Sequence, residues 1–419
     1  MARHRRNRRR HPRWRGLGFR ALSVLLGVVI GGGLVVVTVL SPGRVHLRVV
    51  IPHHFTVVPL AATSTPRWPL SGGAAVAVQS RDGGGTVVQN GPVQTEAPIA
   101  SVTKMMTAYV AVRYLPPLTA TSGPCLVVTA ADVAEYHADA ASDQSNVRVA
   151  AGEQLCAFQL LAGLLVHSGN NYATLLARLT TTSLGGAHFD FLAAMNTEAA
   201  ALGMAHTHYV DYSGYLPGSR STAADQLRLA LKVMVVPLLR HVVGLTAFRL
   251  PVAGVVTTYT PLLGTNGVVG IKSGRTGYAG GCDVMALEAT RAGHSFLVYA
   301  VVTNQYGGDV LANAGAAAYR LAQSVLPSIS SYRWPEGRRD GRLVWSGQVL
   351  PLAVRNVHPL EWWGRTPPRV RFVRVHVPAS AVRKGQVVAM IERASDHVVL
   401  AEVVTTKAST PIPWWHRLR

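Results

Sequence analysis

The sequence predicts an α+β protein, an antiparallel sheet with helices packed on it, followed by a small all-β domain. Strand-like runs lie at the two ends of one region, AAVAVQS near residue 74 and VVGIKSG, DVMALEA and HSFLVYAVVTN after residue 267. Helix-periodic or wholly apolar segments fill the interval between them. Beyond Pro327 the composition shifts to short alternating runs, RLVWSGQVLPLAV, RVRFVRVHV, QVVAMIE and HVVLAEVV, the pattern of half-buried strands.

In chain order, AAVAVQS and TVVQ flank the turn RDGGG and read as a hairpin. VTKMMTAYVAVRYL reads as a helix stopped by Pro116 and Pro117. LCAFQLLAGLLVH is apolar nearly all round, as in a helix inside the molecule. HSGNN breaks it and YATLLARL resumes a helix. FDFLAAMNTEAAAL and STAADQLRLALKVM are further helices, and GDVLANAGAAAYRLAQSVL closes the unit as a long Ala-rich one.

The chain has 419 residues, 48% apolar and 15% charged, which excludes a disordered protein. Nine of the arginines behind its net charge of +21 fall within residues 1–20. Residues 21–40, ALSVLLGVVIGGGLVVVTVL, follow without a charge, and about twenty apolar residues span a bilayer core as a helix. No small-x-small cleavage site follows. The expectation is a cytoplasmic basic tail (1–20), an uncleaved transmembrane anchor (21–40), a tether (41–70), a catalytic domain (71–326) and a C-terminal β domain with tail (327–419). Positive-inside topology accounts for the arginines, so nucleic acid is not an expected partner. The terminal PWWHRLR suits a membrane interface or a solvated tail equally.

Lysine is scarce: Lys104, Lys232, Lys272, Lys384 and Lys407 are the full set. Serine stands three residues before a lysine only at Ser101 and Lys104. That spacing at a helix start puts both side chains on one face of the first turn. A serine hydroxyl is a poor nucleophile until a base removes its proton. A lysine is such a base only when burial or a neighbouring cation lowers its pKa. Ser168–Gly169–Asn170 sits between two apolar helices, and Lys272–Ser273–Gly274 sits in the strand-like GVVGIKSGRTG. Each alone reads as an ordinary turn or strand end. The ordered set S-x-x-K, S-x-N, K-S-G makes those separate readings fail jointly.

The ordered motifs resemble those of the D-alanyl-D-alanine carboxypeptidase family of low-molecular-weight penicillin-binding proteins, which shares them with class A β-lactamases. APIASVTKMMTAYV, GLLVHSGNNYATLLA, MNTEAAALGMAHTHYVDYSGY with STAADQLRLA, and KSGRTGYAGGCDVMA carry the resemblance, over roughly residues 70–325. Pro98 stands further from the serine than in the family. The resemblance implies a β-lactamase/transpeptidase-like fold, with Ser101 as the acylated nucleophile and Lys104 as its base. Ser168 and Asn170 would move protons and orient the peptide, and Lys272, Ser273 and Gly274 would form the substrate edge. The N–H groups of Ser101 and Arg275 would hold the oxyanion. Ser273 replaces the usual threonine, and the Arg275 side chain either grips a carboxylate or faces solvent. Implied partners are peptidoglycan stem peptides ending in D-Ala-D-Ala and β-lactams as covalent inhibitors, with no metal or cofactor.

A D,D-endopeptidase uses the same residues. A β-lactamase needs a deacylating glutamate, for which Glu198 is the nearest candidate, inside a segment that matches the carboxypeptidases. A penicillin-binding sensor would need a larger cytoplasmic partner domain than twenty residues. His167 reads as a helix-end residue, and Asp211 and Asp225 as loop and cap residues. Cys125, Cys156 and Cys282 have no metal-ligand spacing. Cys125–Cys156 pairing and three reduced cysteines remain equal alternatives.

Overall fold

The computed structural model describes residues 65–333 apart from 82–85, 121 and 292, and beyond them 34–37, 49–52, 56–58, 341–345, 348–357, 360–363, 370–375, 381–393, 397 and 399–410. Its centre is a five-stranded antiparallel sheet of β1 (Ala74–Ser80), β2 (Thr86–Asn90), β3 (Val268–Thr276), β4 (Gly280–Arg291) and β5 (His294–Gln305), in the order β3-β4-β5-β1-β2. The α+β expectation holds.

The central strands are apolar on both faces because two separate cores meet there. Ala75, Ala77, Val284, Ala286, Tyr299 and Val301 join the core under the helical layer. The alternate residues Val76, Val78, Met285, Leu287, Val298 and Ala300 pack with Ala314, Ala318 and Leu321 of the long closing helix.

The helices are α1 (Lys104–Tyr114), α2 (Ala130–Ala141), α3 (Ala157–Leu165), α4 (Asn170–Ser183), α5 (Phe191–Ala201), α6 (Ala223–Val233), α7 (Pro237–Val243) and α8 (Val310–Val325). Their starts follow local chemistry. Asp190, Thr222 and Asp309 cap α5, α6 and α8 with side-chain acceptors. Thr129 and Asp132 form a reciprocal capping box at α2, a helix the apolar periodicity does not reveal. The segment expected as one helix from residue 155 begins later. Gln154–Cys156 is a short strand paired with Cys125–Val127, and Cys125 and Cys156 form a disulfide across that pair. Cys282 is a buried free thiol.

The later strands form a seven-stranded sheet that includes Gly341–Trp345, Gln348–Asn356, Val370–Arg374, Val387–Arg393 and Val399–Thr405. Val49–Pro52, within the segment read as a tether, pairs with Gly341–Trp345, and Thr56–Val58 pairs with Ile329–Arg333. Of the apolar run 21–40, Leu34–Val37 is a strand paired with Val49–Pro52 rather than part of a helix. Its LVVV sequence is β-branched, and an unbroken apolar run carries no period that separates helix from strand. Residues 1–33 and the PWWHRLR tail lie outside the described residues. Among the described residues, no helix is long and apolar enough to cross a membrane.

Candidate active site

Ser101 sits in a 3-10 turn, Ala100–Thr103, that runs directly into α1. The strand Ala97–Pro98 leads into the turn and pairs with Arg220–Ser221. Ala100 has φ +50, a left-handed conformation rare for a residue with a Cβ, and it swings the serine out at the helix start. Two glycines make room for this turn. A Cβ on Gly214 would stand 1.9 Å from the carbonyl O of Ala100, and one on Gly274 would stand 2.5 Å from the Ser101 amide nitrogen.

Lys104 is fully buried. Its Nζ donates to Ser101 Oγ at 2.8 Å, Asn170 Oδ1 at 2.5 Å and the carbonyl O of Ser213 at 3.2 Å. The latter two partners only accept, so a neutral amine keeps both N–H bonds for them and turns its lone pair toward the serine hydroxyl. Burial pushes the Lys104 pKa well below its ordinary value, and the Lys272 charge pushes it further; Asp211 and Asp139 oppose this. The arrangement therefore supplies the lowered lysine basicity that an S-x-x-K base requires.

The second segment turns between α3 and α4. Ser168 has φ +61 and is nearly buried. Gly169 is the N-cap of α4, and its N–H donates to Gly163 O at 3.0 Å. Asn170 is held from two sides: its N–H donates to Ser145 O at 2.8 Å and its Nδ2 to Gln144 Oε1 at 2.7 Å. Asn171 ties the same loop down through both the N–H and the carbonyl of Val147.

The third segment lies on β3, an edge strand of the sheet. Lys272 is buried, and its Nζ donates to Ser168 Oγ at 3.0 Å and to Ser273 O at 2.8 Å. Burial lowers its pKa to about 7, with Asp283 pulling in the opposite direction. Ser273 Oγ donates to the carbonyl O of Tyr259 at 3.0 Å, so in this state its proton is turned away from any ligand. Arg275 is exposed on the same strand and makes no ion pair among the described residues.

Three distant segments thus converge in two hydrogen-bonded groups, Ser101–Lys104–Asn170 and Ser168–Lys272, joined through the backbone of residues 168–170. Other sequence readings settle as follows. Glu198 is buried on α5 and engaged with Arg113 at 3.1 Å. His167 packs against Tyr259 with the rings tilted by 36°, and it contacts the carbonyl O of Thr257 and the Tyr259 hydroxyl. Asp225 sits in the first turn of α6, paired with Arg228 and accepting from the His206 N–H.

Sequence reasoning underrated Asp211. Its carboxylate accepts from Ser213 Oγ, Tyr215 N–H and Ser219 Oγ, folding the loop whose Ser213 carbonyl receives Lys104. The signal was present as D-Y-S-G, an Asx-type turn. Gln144, Tyr259 and Asn304 were missed as well. Asn304, at φ +57, donates to Pro98 O and Ala279 O and so joins β5 to the strand entering the serine turn. No local pattern marks these three, because each contact spans distant parts of the chain.

The profile of the D-alanyl-D-alanine carboxypeptidase family, Peptidase_S11, matches residues 61–306. The chain is 32% identical over 229 residues to a D-alanyl-D-alanine endopeptidase of Pseudomonas aeruginosa, covering 53% of this chain and 68% of that protein. It is 28% identical over 254 residues to a D-alanyl-D-alanine carboxypeptidase of Streptomyces sp. strain K15, covering 57% of this chain and 82% of the relative. The crystal structure of the Streptomyces K15 DD-transpeptidase aligns with a TM-score of 0.49 at 22% identity, over 61% of this chain and 98% of that one. The chain belongs to the D-alanyl-D-alanine carboxypeptidase family and is a serine-type D-Ala-D-Ala peptidase.

Proposed function

We propose that the protein removes the terminal D-alanine from peptidoglycan stem peptides through an acyl-enzyme on Ser101. The observation that carries this reading is the fully buried Lys104, 2.8 Å from Ser101 Oγ. In the proposed cycle, neutral Lys104 takes the hydroxyl proton as Ser101 attacks the penultimate D-alanine carbonyl. Backbone N–H groups of Ser101 and Arg275 stabilise the oxyanion, at the point where Gly274 lets the edge strand close on the serine turn. The proton held on Lys104 then passes by way of Ser168, hydrogen-bonded to Lys272, to the leaving amine, and water hydrolyses the Ser101 ester to free the trimmed peptide. The substrate backbone lies along the edge of β3.

A preference for cutting at a free C-terminus rests on two cations, Lys272 and Arg275, carried by one strand beside the cleft. Arg275 has no carboxylate partner of its own among the described residues, so its guanidinium is available to a terminal carboxylate. Penicillin, which carries a carboxylate beside its reactive carbonyl, then acylates the same serine. A second reading, endopeptidase cleavage of cross-links, is favoured by the 32%-identical relative, a D-alanyl-D-alanine endopeptidase. The two are separated by feeding the protein a stem pentapeptide and a cross-linked dimer. Free D-alanine from the pentapeptide alone supports the carboxypeptidase, and monomer release from the dimer selects the endopeptidase.

We infer further that the catalytic domain works outside the cytoplasmic membrane, attached through its N-terminal apolar segment. The nine arginines before that segment support the orientation, and the Cys125–Cys156 disulfide suits an oxidising compartment. Protease treatment of intact spheroplasts should digest the domain while it stays with the membrane fraction. Full protection from protease contradicts the placement, and recovery in the soluble fraction contradicts the attachment.

A further inference from the structure

Tyr259 follows a short hairpin, Ala247–Leu250 with Gly254–Thr257, and is tied to two of the three motifs. Its carbonyl O accepts from Ser273 Oγ at 3.0 Å. Its ring centroid lies 4.6 Å from that of His167, the residue directly before Ser168, in a tilted aromatic contact. His167 Nδ1 is 2.8 Å from the carbonyl O of Thr257, and a carbonyl only accepts, so Nδ1 carries the proton. Nε2 of the neutral ring is then the acceptor for the Tyr259 hydroxyl at 3.2 Å. Lys272 closes the other side by donating to Ser168 Oγ and to the Ser273 carbonyl. The contacts form a closed ring that runs from Ser168 through Lys272, Ser273, Tyr259 and His167 back to Ser168.

The backbone under the aromatic pair is held in place. The Thr258 N–H donates to Thr246 O at 2.9 Å, and the Thr260 N–H donates to Thr258 Oγ1 at 3.0 Å. Tyr259 is 47% exposed and His167 is partly exposed, so the pair borders open space rather than core. Ser168 and Lys272 are the members of the ring that pass the proton to the leaving amine and draw the terminal carboxylate. A leaving residue engaged by both lies against the His167–Tyr259 pair. A terminal D-alanine brings only a methyl and a carboxylate to that place. In a cross-linked dimer the same place must take the remainder of a second stem peptide.

We propose that His167 and Tyr259 determine specificity: their paired rings wall the leaving-group end of the cleft and admit a single D-alanine in preference to the bulkier leaving group of a cross-link. The proposal rests on the carboxypeptidase reading above and names the residues that impose it. The wall acts by shape. The Tyr259 hydroxyl proton is directed to His167 and the His167 Nδ1 proton to Thr257, so neither is free for the substrate carboxylate.

The test uses the full chain as wild type, His167→Ala, Tyr259→Ala and Tyr259→Phe. Each is given a stem pentapeptide and a cross-linked dimer, and kcat/KM is measured for both, with Ser101 labelling by a fluorescent penicillin reporting the folded fraction. Both alanine variants should raise the dimer-to-pentapeptide ratio by about tenfold, the scale of a small steric change in a binding pocket. Tyr259→Phe keeps the ring without the hydroxyl and should keep the wild-type ratio. A merely structural role would lower both rates together and leave the ratio alone. An unchanged ratio in either alanine variant overturns the proposal, as does loss of Ser101 labelling in either. A Tyr259→Phe ratio equal to that of Tyr259→Ala also overturns it, because the hydroxyl rather than the shape would then set the preference. Wild-type protein that releases no D-alanine from the pentapeptide overturns the carboxypeptidase reading itself, a result distinct from the others.

Discussion

Gly274 lies so close to Ser101 that a Cβ there would stand 2.5 Å from the Ser101 amide nitrogen and 3.0 Å from that of Val102. The contact joins the third motif to the first, and it is made by backbone on both sides. A methyl group at this position cannot be absorbed by a side-chain rotation, so the edge strand must move off the serine turn. Gly274→Ala should lower the rate of Ser101 acylation by at least about a hundredfold, the scale of losing one oxyanion donor. Stopped-flow penicillin acylation measures it. A variant that acylates at the wild-type rate would show that the closeness of strand and turn is unimportant.

Lys272 contributes to the base as well as to the substrate edge. Its charge is the second cause, after burial, that holds Lys104 below its ordinary pKa. In Lys272→Ala that push is gone, so Lys104 deprotonates at higher pH and the acid limb of the acylation profile should move alkaline by about one unit. An acid limb that stays in place would mean that burial alone sets Lys104.

Asp139, whose charge also acts on Lys104, offers a stability measurement. Burial, followed by the charge of Glu135, raises its pKa from 3.8 to about 6. The folded state thus binds this proton more tightly than the unfolded state. The resulting stabilisation is complete below pH 3.8 and is lost as pH rises through 6. Asp139→Asn should raise the denaturant midpoint at neutral pH and leave it unchanged in acid. An equal shift at both pH values would point to a packing effect instead.

The Cys125–Cys156 disulfide closes a segment of 31 residues. The chain-entropy estimate for such a loop is about 3–4 kcal/mol. Cys125→Ser with Cys156→Ser should lower unfolding free energy by about that amount, read from denaturant titration. Penicillin labelling of the folded fraction should persist, since neither cysteine touches Ser101 or Lys104. Loss of labelling in folded protein would place the disulfide in the site's architecture.

Much of this site was legible because its parts are local. Ser101 and Lys104 share one helical turn, Ser168 and Asn170 share one break between helices, and Lys272 to Arg275 share one strand. The framework around them was not legible, because it is made by contacts across the chain. Gln144 reaches Asn170, the Ser213 carbonyl reaches Lys104, and the Tyr259 carbonyl takes the Ser273 proton. Asp283 was silent for a different reason. In DVMALEA it reads as a polar residue at a strand start, and only the covering of both faces of the sheet makes it a buried carboxyl. The strand pairing of Leu34–Val37 was not legible either, because Val-rich apolar runs fit helix and strand alike.

The most direct test of the central claim is intact-protein and peptide mass spectrometry after brief exposure to penicillin. The expected result is one penicilloyl group, located on the peptide bearing Ser101, and no adduct in Ser101→Ala. Lys104→Ala should bind the drug without forming the adduct on the same time scale. An adduct that persists in Ser101→Ala, or one mapped to a different serine, would contradict the assignment of nucleophile and base.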